Sequence, residues 1–476
     1  MSLPRRIFYN TLAQSLGKLF AAFLGLVTVA MLTRHLQENG FGQYSTVVAF
    51  LGLLAVLSDL GLYLIVVREI SKAGTDHSKI ISNALGLRLT GSLLALVFGA
   101  LVALVFPYEP LVKTTMFVGI AAFVFSSLNQ VLIGIFQKHL VQHLSVIAET
   151  IGRAVNLGLV FLFITYNLSL PYFLAALIFG NGVIFFMSVT FARRYEKFSI
   201  AWDFAVWKKI LIDSWPLVFA VILNLLYFKT DTVILSVFHS EDAVGVYSLP
   251  YKILEGLLAF PAMFVGLIMP LLSQTADTAW ETFQKYLQGA FEALVLMAIP
   301  MIVIAQYYSR PIINLLKGPR TYHDSPALLQ ILILSAATIY IGTLFGYAVV
   351  AVNKQKTMIL GYLLGAAVGL TSYFMLIPRY SYWGAAWGTF FTEVVVTCFA
   401  YLLVRKASGK DVSLRILLPA MPAMLALILF FQFVKINWFL EIVIGLCLYI
   451  ILLVMTRAIP MGFIQDITRY RQSHNS

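Results

Sequence analysis

Five basic side chains stand where hydrocarbon is expected. Lys18, Arg88, Arg153, Lys229 and Lys252 each lie deep within an apolar stretch, roughly 12–15 Å from the nearer helix end at a rise of about 1.5 Å per residue. A charge at that depth costs about 2.5–3.5 kcal/mol on insertion, so it is expected to face a cavity or an opposite charge. The acids Asp59, Glu149, Asp231, Glu255, Glu292 and Glu393 are equally out of place. Lysine and arginine grip anions through charge-assisted hydrogen bonds, and Asp231, Glu255 and Glu393 are candidate proton carriers.

Spacing sorts these residues into faces. Asn10, Gln14 and Lys18 fall at i, i+4 and i+8, one polar stripe along a first helix, which places it on a cavity wall or against another helix. Asn224, Tyr227 and Asp231 form a second stripe, and Lys229 points to nearly the opposite side. Tyr247, Tyr251 and Glu255 share a third. Lys252 stands three residues before Glu255 and Glu149 four before Arg153, the spacing of ion pairs within one helix. Both readings stay open for these two pairs: mutual neutralisation, or cations held for a ligand.

The elements carrying them follow from composition. Of 476 residues, 60% are hydrophobic and only 11% charged, where a soluble domain has about 25% charged. The chain is therefore expected to be an all-α polytopic membrane protein. Apolar runs fall at about 10–33, 44–67, 80–106, 114–137, 143–165, 170–192, 210–238, 244–273, 286–307, 326–352, 357–377, 382–404, 416–434 and 437–456. That predicts about fourteen transmembrane helices, the first read as a span rather than a signal peptide. Pro250, Pro261 and Pro270 are expected to bend the long eighth run. With the N-terminus placed in the cytoplasm, twenty-one of the 33 Lys and Arg fall inside and seven outside. This bias predicts that both termini are cytoplasmic and accounts for the net charge of +12 without nucleic acid.

A polar break divides the chain. Residues 193–209 read as a cytoplasmic amphipathic linker or a plain solvated loop, with an N-lobe over 1–192 and a C-lobe over 210–405. Residues 406–476 hold helices 13 and 14 and a tail. Glu38-Asn-Gly-Phe-Gly-Gln-Tyr-Ser45 and Glu241-Asp-Ala-Val-Gly-Val-Tyr-Ser248 agree at four of eight positions with an offset of 203 residues. The halves are thus expected to be parallel six-helix repeats about a pseudo-twofold along the membrane normal, an architecture of transporters. Cys398 and Cys447 lie in apolar runs and exclude a disulfide framework. No phosphate-binding loop motif is present, which argues against ATP hydrolysis by this chain. Gly361, Gly365 and Gly369 form a small-residue face suited to close packing.

Met31-Leu-Thr-Arg-His-Leu, Gly42-Gln-Tyr-Ser, Leu57-Ser-Asp-Leu-Gly-Leu62 and Val67-Arg-Glu-Ile70 together resemble the opening of polysaccharide-biosynthesis membrane proteins. Asp231-Thr-Val-Ile-Leu-Ser-Val-Phe, Gly245-Val-Tyr-Ser-Leu-Pro-Tyr-Lys252 and Gly384-Ala-Ala-Trp-Gly388 continue the likeness. These are the Wzx-type flippases, O-antigen flippases among them, of the multidrug/oligosaccharidyl-lipid/polysaccharide superfamily. The resemblance implies two six-helix lobes around a cavity in the bacterial inner membrane or an archaeal plasma membrane. It also implies alternating access that carries a sugar on isoprenoid pyrophosphate between leaflets. Its implied partners are the bilayer, the lipid-linked oligosaccharide and polysaccharide polymerase or export machinery. Under it, Lys18, Arg88, Arg153, Lys229 and Lys252 become headgroup candidates, with Gln14, Tyr247 and Tyr251 for sugar. The relatives are expected to use no organic cofactor. Membrane potential or a gradient of H⁺ or Na⁺ would drive them, with Asp231, Thr371 and Thr392 as candidate Na⁺ ligands and Glu255 and Glu393 as further ion-coupling candidates.

Three rivals remain. A multidrug or cation exporter of the same superfamily would favour an acidic, aromatic cavity. A membrane polymerase or ligase acting on lipid-linked sugars would need a substantial external loop, and 308–325 is the longest on that side. A scaffold without transport leaves the charges in the spans unexplained.

Overall fold

In lipid every backbone N–H and C=O must be satisfied within its own segment, so apolar runs of this length become helices. The computed structural model describes residues 3–57, 66, 67, 69, 70, 75–276, 279–318 and 321–459, excluding the side chains of 3–13, 15, 16, 56, 57 and 213–229. It is all helical among those residues. In chain order the α-helices are α1 (Leu3–Leu57), α2 (His77–Ala103), α3 (Pro110–Lys138), α4 (Gln142–Thr165), α5 (Leu170–Ala192), α6 (Phe204–Phe238) and α7 (Glu241–Leu257). They continue as α8 (Ala259–Ala276), α9 (Trp280–Lys317), α10 (Ser325–Ala351), α11 (Gln355–Ser408), α12 (Leu417–Phe433) and α13 (Trp438–Met455). Among the described residues, eleven segments are long and apolar enough to cross a membrane. Two of them run through a pair of expected spans: α1 turns at Gln37 and α11 at Ser381, both with positive φ.

Large apolar side chains such as Phe98, Phe186, Phe433 and Met455 are exposed. This surface suits lipid rather than water, and the chain is a multi-pass membrane protein.

The molecule forms two compact units, the first of residues 1–248 with 316–321 and 373–382. Here α1 packs against α3, α4 and α6, and α5 against α3 and α4. Its core includes Val47, Leu51, Ile81, Met116, Leu132, Phe136 and Leu174, all fully or nearly fully buried. Residues 201–203 are tied to α2 through their backbone N–H groups: Ala201 N donates to the Ser82 carbonyl at 3.1 Å and Asp203 N to the Asn83 side-chain Oδ1 at 2.8 Å. Gly86 is what lets this segment lie so close, since a Cβ there would stand 2.0 Å from the Ala201 carbonyl oxygen. Trp207 and Ile210 of α6 then bury against Leu87.

The second unit holds 249–315, 322–372 and 383 onward. The long eighth run breaks at Leu258, where α7 ends and α8 begins. Pro261 explains the place: its ring clashes with the carbonyl of residue 257 and it has no N–H to donate. The freed Leu257 oxygen accepts the Tyr340 hydroxyl of α10 at 3.1 Å. In α9 the backbone leaves helical angles at Tyr308 and then resumes to Lys317. The segment expected as an eighteen-residue external loop is therefore mostly helix, because Pro311 at the start of a new turn is tolerated where it breaks the preceding one. Tyr308 donates to the buried Glu441 of α13, which also accepts the Ile436 N–H. In α11, Gly361 lies against the ring of Phe399, close packing of the two halves of that helix.

Candidate functional site

The candidate cations fall into three environments. Arg153 and Glu149 are joined on α4, with Nε and Nη2 reaching one carboxylate oxygen at 3.0 and 2.9 Å. Lys252 Nζ meets Glu255 Oε2 at 2.7 Å. Both pairs expected from spacing are present, so neither cation is unopposed. Arg88 is buried on α2, with Nε donating to the Ser127 carbonyl of α3 at 3.1 Å. Lys18 differs from all three. It is exposed on α1, and among the described residues it has no hydrogen bond or ion pair. One turn before it, Gln14 donates to Gln142 of α4 at 3.0 Å, the helix-to-helix bond that a polar stripe also allows. Lys229, Asn224, Tyr227 and Asn10 have side chains outside the described set, and Asp59 lies outside the described residues.

The candidate acids and hydroxyls divide as sharply. Asp231 is fully buried in the first unit. Its Oδ1 accepts the Thr232 backbone N–H at 2.6 Å and its Oδ2 accepts the Tyr247 hydroxyl at 2.6 Å. Tyr247 thus faces a carboxylate rather than open space, and Tyr251 is buried as well. In the second unit Glu393 is 5% exposed and has no hydrogen bond or ion pair among the described residues. Thr392 bonds its own helix at the Gly388 carbonyl, 2.8 Å away, and Thr371 is exposed. Glu292 accepts from Gln288 at 2.8 Å.

A feature not anticipated from sequence joins the two repeat motifs. Gly42 of α1 faces the Glu241 carbonyl so closely that a Cβ would stand 1.7 Å from its oxygen. Gly245 of α7 faces the Glu38 carbonyl, with a corresponding distance of 2.1 Å. Residues 42 and 245 are partners across the 203-residue offset, and so are 38 and 241. The contact is therefore reciprocal, as a twofold axis through it requires. Polar groups surround it within the first unit. Thr46 donates to Glu241 Oε2 at 2.8 Å, Gln43 to Glu109 Oε2 at 2.9 Å, and Tyr108 and Ser236 hydroxyls meet at 2.9 Å. The repeated glycines were visible in the sequence; nothing in the sequence showed that they touch.

At the other end of the same helices, Glu196 gathers a lysine and two histidines. Its Oε1 lies 2.8 Å from Lys138 Nζ, 2.9 Å from His139 Nε2 and 3.3 Å from His77 Nδ1. Burial pushes the Glu196 carboxyl up, but hydrogen bonds from Lys138 and His139 and the charges of Lys138 and His77 outweigh it. The group is held below its ordinary value. Asp203 pairs with Lys79 at 3.1 Å. Among the described residues no cluster of three His, Cys, Asp or Glu is arranged to hold a metal ion.

Comparison with known proteins places this geometry. A candidate O-antigen transporter of Shigella flexneri is 23% identical over 397 residues, covering 80% of this chain and 93% of that protein. The capsular polysaccharide biosynthesis protein CapF of Staphylococcus aureus is 22% identical over 268 residues, 55% of this chain and 67% of its own. Among solved structures, the lipid II flippase MurJ in an inward closed conformation matches with a TM-score of 0.75 at 15% identity, over 93% of this chain and 98% of that one. An inward-facing multidrug resistance transporter of the MATE family matches with a TM-score of 0.59 at 13% identity, over 83% and 98%. At such identities the likeness is one of fold, and it is the fold expected from the sequence. The family model for polysaccharide biosynthesis proteins matches residues 7–276, more than half of the chain, and the protein belongs to that family.

Proposed function

We propose that the protein is a flippase that moves isoprenoid-pyrophosphate-linked oligosaccharide, such as an O-antigen repeat unit, from the inner to the outer leaflet by alternating access. Its family membership and its O-antigen and capsular relatives support the substrate class. The structural observation that carries the reading is Lys18, an exposed cation in an apolar helix with no partner among the described residues. Such a group has hydrogen-bond donors and charge to offer a pyrophosphate, whereas Arg153 and Lys252 are already opposed by carboxylates. The exporter reading is weaker, because a free lysine repels the cations that such a protein carries. The protein is not read as an enzyme. Its driving force is assigned to membrane potential or an H⁺ or Na⁺ gradient, with Asp231, Glu255, Glu393, Thr371 and Thr392 as the groups available to couple it. Residues at the N-terminus and C-terminus are assigned to the cytoplasmic side of the inner membrane by the charge bias.

Reconstitution in liposomes with a fluorescent isoprenoid-pyrophosphate oligosaccharide tests this through its leaflet exchange. Exchange should collapse in Lys18→Ala and persist in Arg153→Ala, both variants melting like the wild type. Wild type that leaves the lipid-linked sugar in place but moves drug cations would overturn the flippase reading.

A further inference from the structure

The stretch from α5 to the first turns of α6 has two faces, one packed on α2 and one exposed among the described residues. Trp207 and Ile210 are buried, Val206 packs beside them, and Ala201 and Asp203 are tied to α2 through their backbone N–H groups. On the opposite arc of α6, Phe204, Lys208, Lys209, Leu211 and Ile212 are exposed. The spacing of 204, 208, 211 and 212 keeps them on one side of the helix. Ahead of them Trp202 is 57% exposed, and Arg193, Arg194 and Lys197 are exposed too.

Charge on this face is unbalanced. The two acids in the segment are engaged elsewhere, Glu196 with Lys138, His139 and His77 and Asp203 with Lys79. Five basic side chains remain without an acid of their own segment to answer them: Arg193, Arg194, Lys197, Lys208 and Lys209. The arginines lie over the rings of Phe198 and Phe191 at 6.0 and 5.7 Å, and both are exposed. Exposed tryptophan and phenylalanine mixed with lysine and arginine, at the foot of a membrane helix, is the composition of an interfacial segment. A nucleic acid or an acidic protein would be met by the charges alone and would leave Trp202, Phe204 and Ile212 in water.

We propose that the exposed face of residues 193–212 is a binding surface for anionic phospholipid headgroups, fixed in place by the docking of 199–203 and Trp207 on α2. The aromatic and aliphatic groups enter the headgroup boundary, and the five cations hold lipid phosphates around them. The surface does not depend on what the protein transports.

The test uses the full chain with Cys398 and Cys447 changed to serine and a nitroxide on Phe204→Cys. It is reconstituted in phosphatidylcholine alone or with phosphatidylglycerol at equal acyl composition. Label depth and mobility report docking, and spin-labelled lipids report headgroup preference. Anionic lipid should be favoured over neutral lipid by at least about tenfold, which two of the five basic residues would supply if each contributes several-fold at a charged surface. The label should lie deeper when that lipid is present, and salt should reverse both effects. Changing all five basic residues to glutamine should abolish the preference. Lys208→Gln with Lys209→Gln should reduce it in a chain that melts normally. Equal behaviour in both lipids, or an unaltered preference in either variant, overturns the proposal. So does a preference that appears only for trace polyprenyl pyrophosphate in a neutral bilayer, since that would make the surface a substrate port.

Discussion

Placing a methyl group on Gly42 should pry apart the two repeat motifs without unfolding the protein. In the structure that methyl would stand 1.7 Å from the Glu241 carbonyl oxygen, whereas real Cβ contacts below 3.0 Å are essentially never seen. The obstacle is backbone, so no rotamer change relieves it, and the two segments must part by more than 1 Å. Such a displacement carries the Thr46–Glu241 bond, 2.8 Å in the closed arrangement, beyond hydrogen-bonding distance. A bond to a carboxylate is worth about 1.5–3 kcal/mol, so the closed arrangement should lose roughly 10- to 100-fold in population. Alanine is meanwhile favoured over glycine in a helix by about 1 kcal/mol, which offsets only part of that loss, so the melting temperature should fall modestly while the chain stays folded. Nitroxides at Asn39 and Asp242, both exposed, report the separation by pulsed electron resonance in a chain without native cysteines. Gly42→Ala and Gly245→Ala should each add a longer distance, and their combination should fall short of the sum because both break one contact. An unchanged distribution in both single variants, or fully additive effects, would show that the motifs do not meet as described.

Three further outcomes follow from the local chemistry. Tyr340→Phe should destabilise by about 1 kcal/mol through the orphaned Leu257 carbonyl. In a Pro261→Ala background thermal melting should register little of that loss, since residue 261 regains its N–H. Gly86→Ala should dislodge 199–203 from α2 and speed tryptic cleavage at Arg193, Arg194 and Lys197, read as fragment yield against time. Glu196→Gln should lower stability by about 1–3 kcal/mol near neutral pH. The Glu196 carboxyl is held low in the folded protein, so its contribution is present above the unfolded carboxylate value. It is lost as pH falls through the folded one, so the wild-type and variant melting curves should converge in acid.

Apolar run lengths reported most of the helices because lipid allows few alternatives to a continuous helix. The break at Leu258 was legible in Pro261, whose missing donor and ring act on residue 257. The turns at Gln37 and Ser381 were less so: no proline is near Gln37 in sequence, and each turn needs one residue at positive φ, which its neighbours must enforce. Glu149–Arg153 and Lys252–Glu255 could be read because both partners ride one helix at fixed spacing. Asp231 and Tyr247 could not, since their meeting depends on how α6 and α7 turn toward each other. The repeat motif was seen as evidence for topology, and its role as a contact appears only where the carbonyls of 38 and 241 approach the glycines. The same limit applied to Glu109, Gln43, Thr46, Tyr108 and Ser236, ordinary polar residues at helix ends until they were brought together.

Lys18 has a consequence for how the protein is made. Arg153 and Lys252 enter the membrane with their acids four and three residues away on the same helix, so each arrives already neutralised. Lys18 arrives in an apolar segment with no acid in reach on its own helix. The insertion cost of about 2.5–3.5 kcal/mol for such a charge then has to be met by the surrounding apolar residues and by Arg5 and Arg6, which bias that segment's orientation. Later assembly of the described residues supplies no counter-charge. Position 18 therefore sets biogenesis against the proposed use. Leucine there should raise the yield of inserted protein, and every additional molecule would lack the lysine proposed to meet the headgroup.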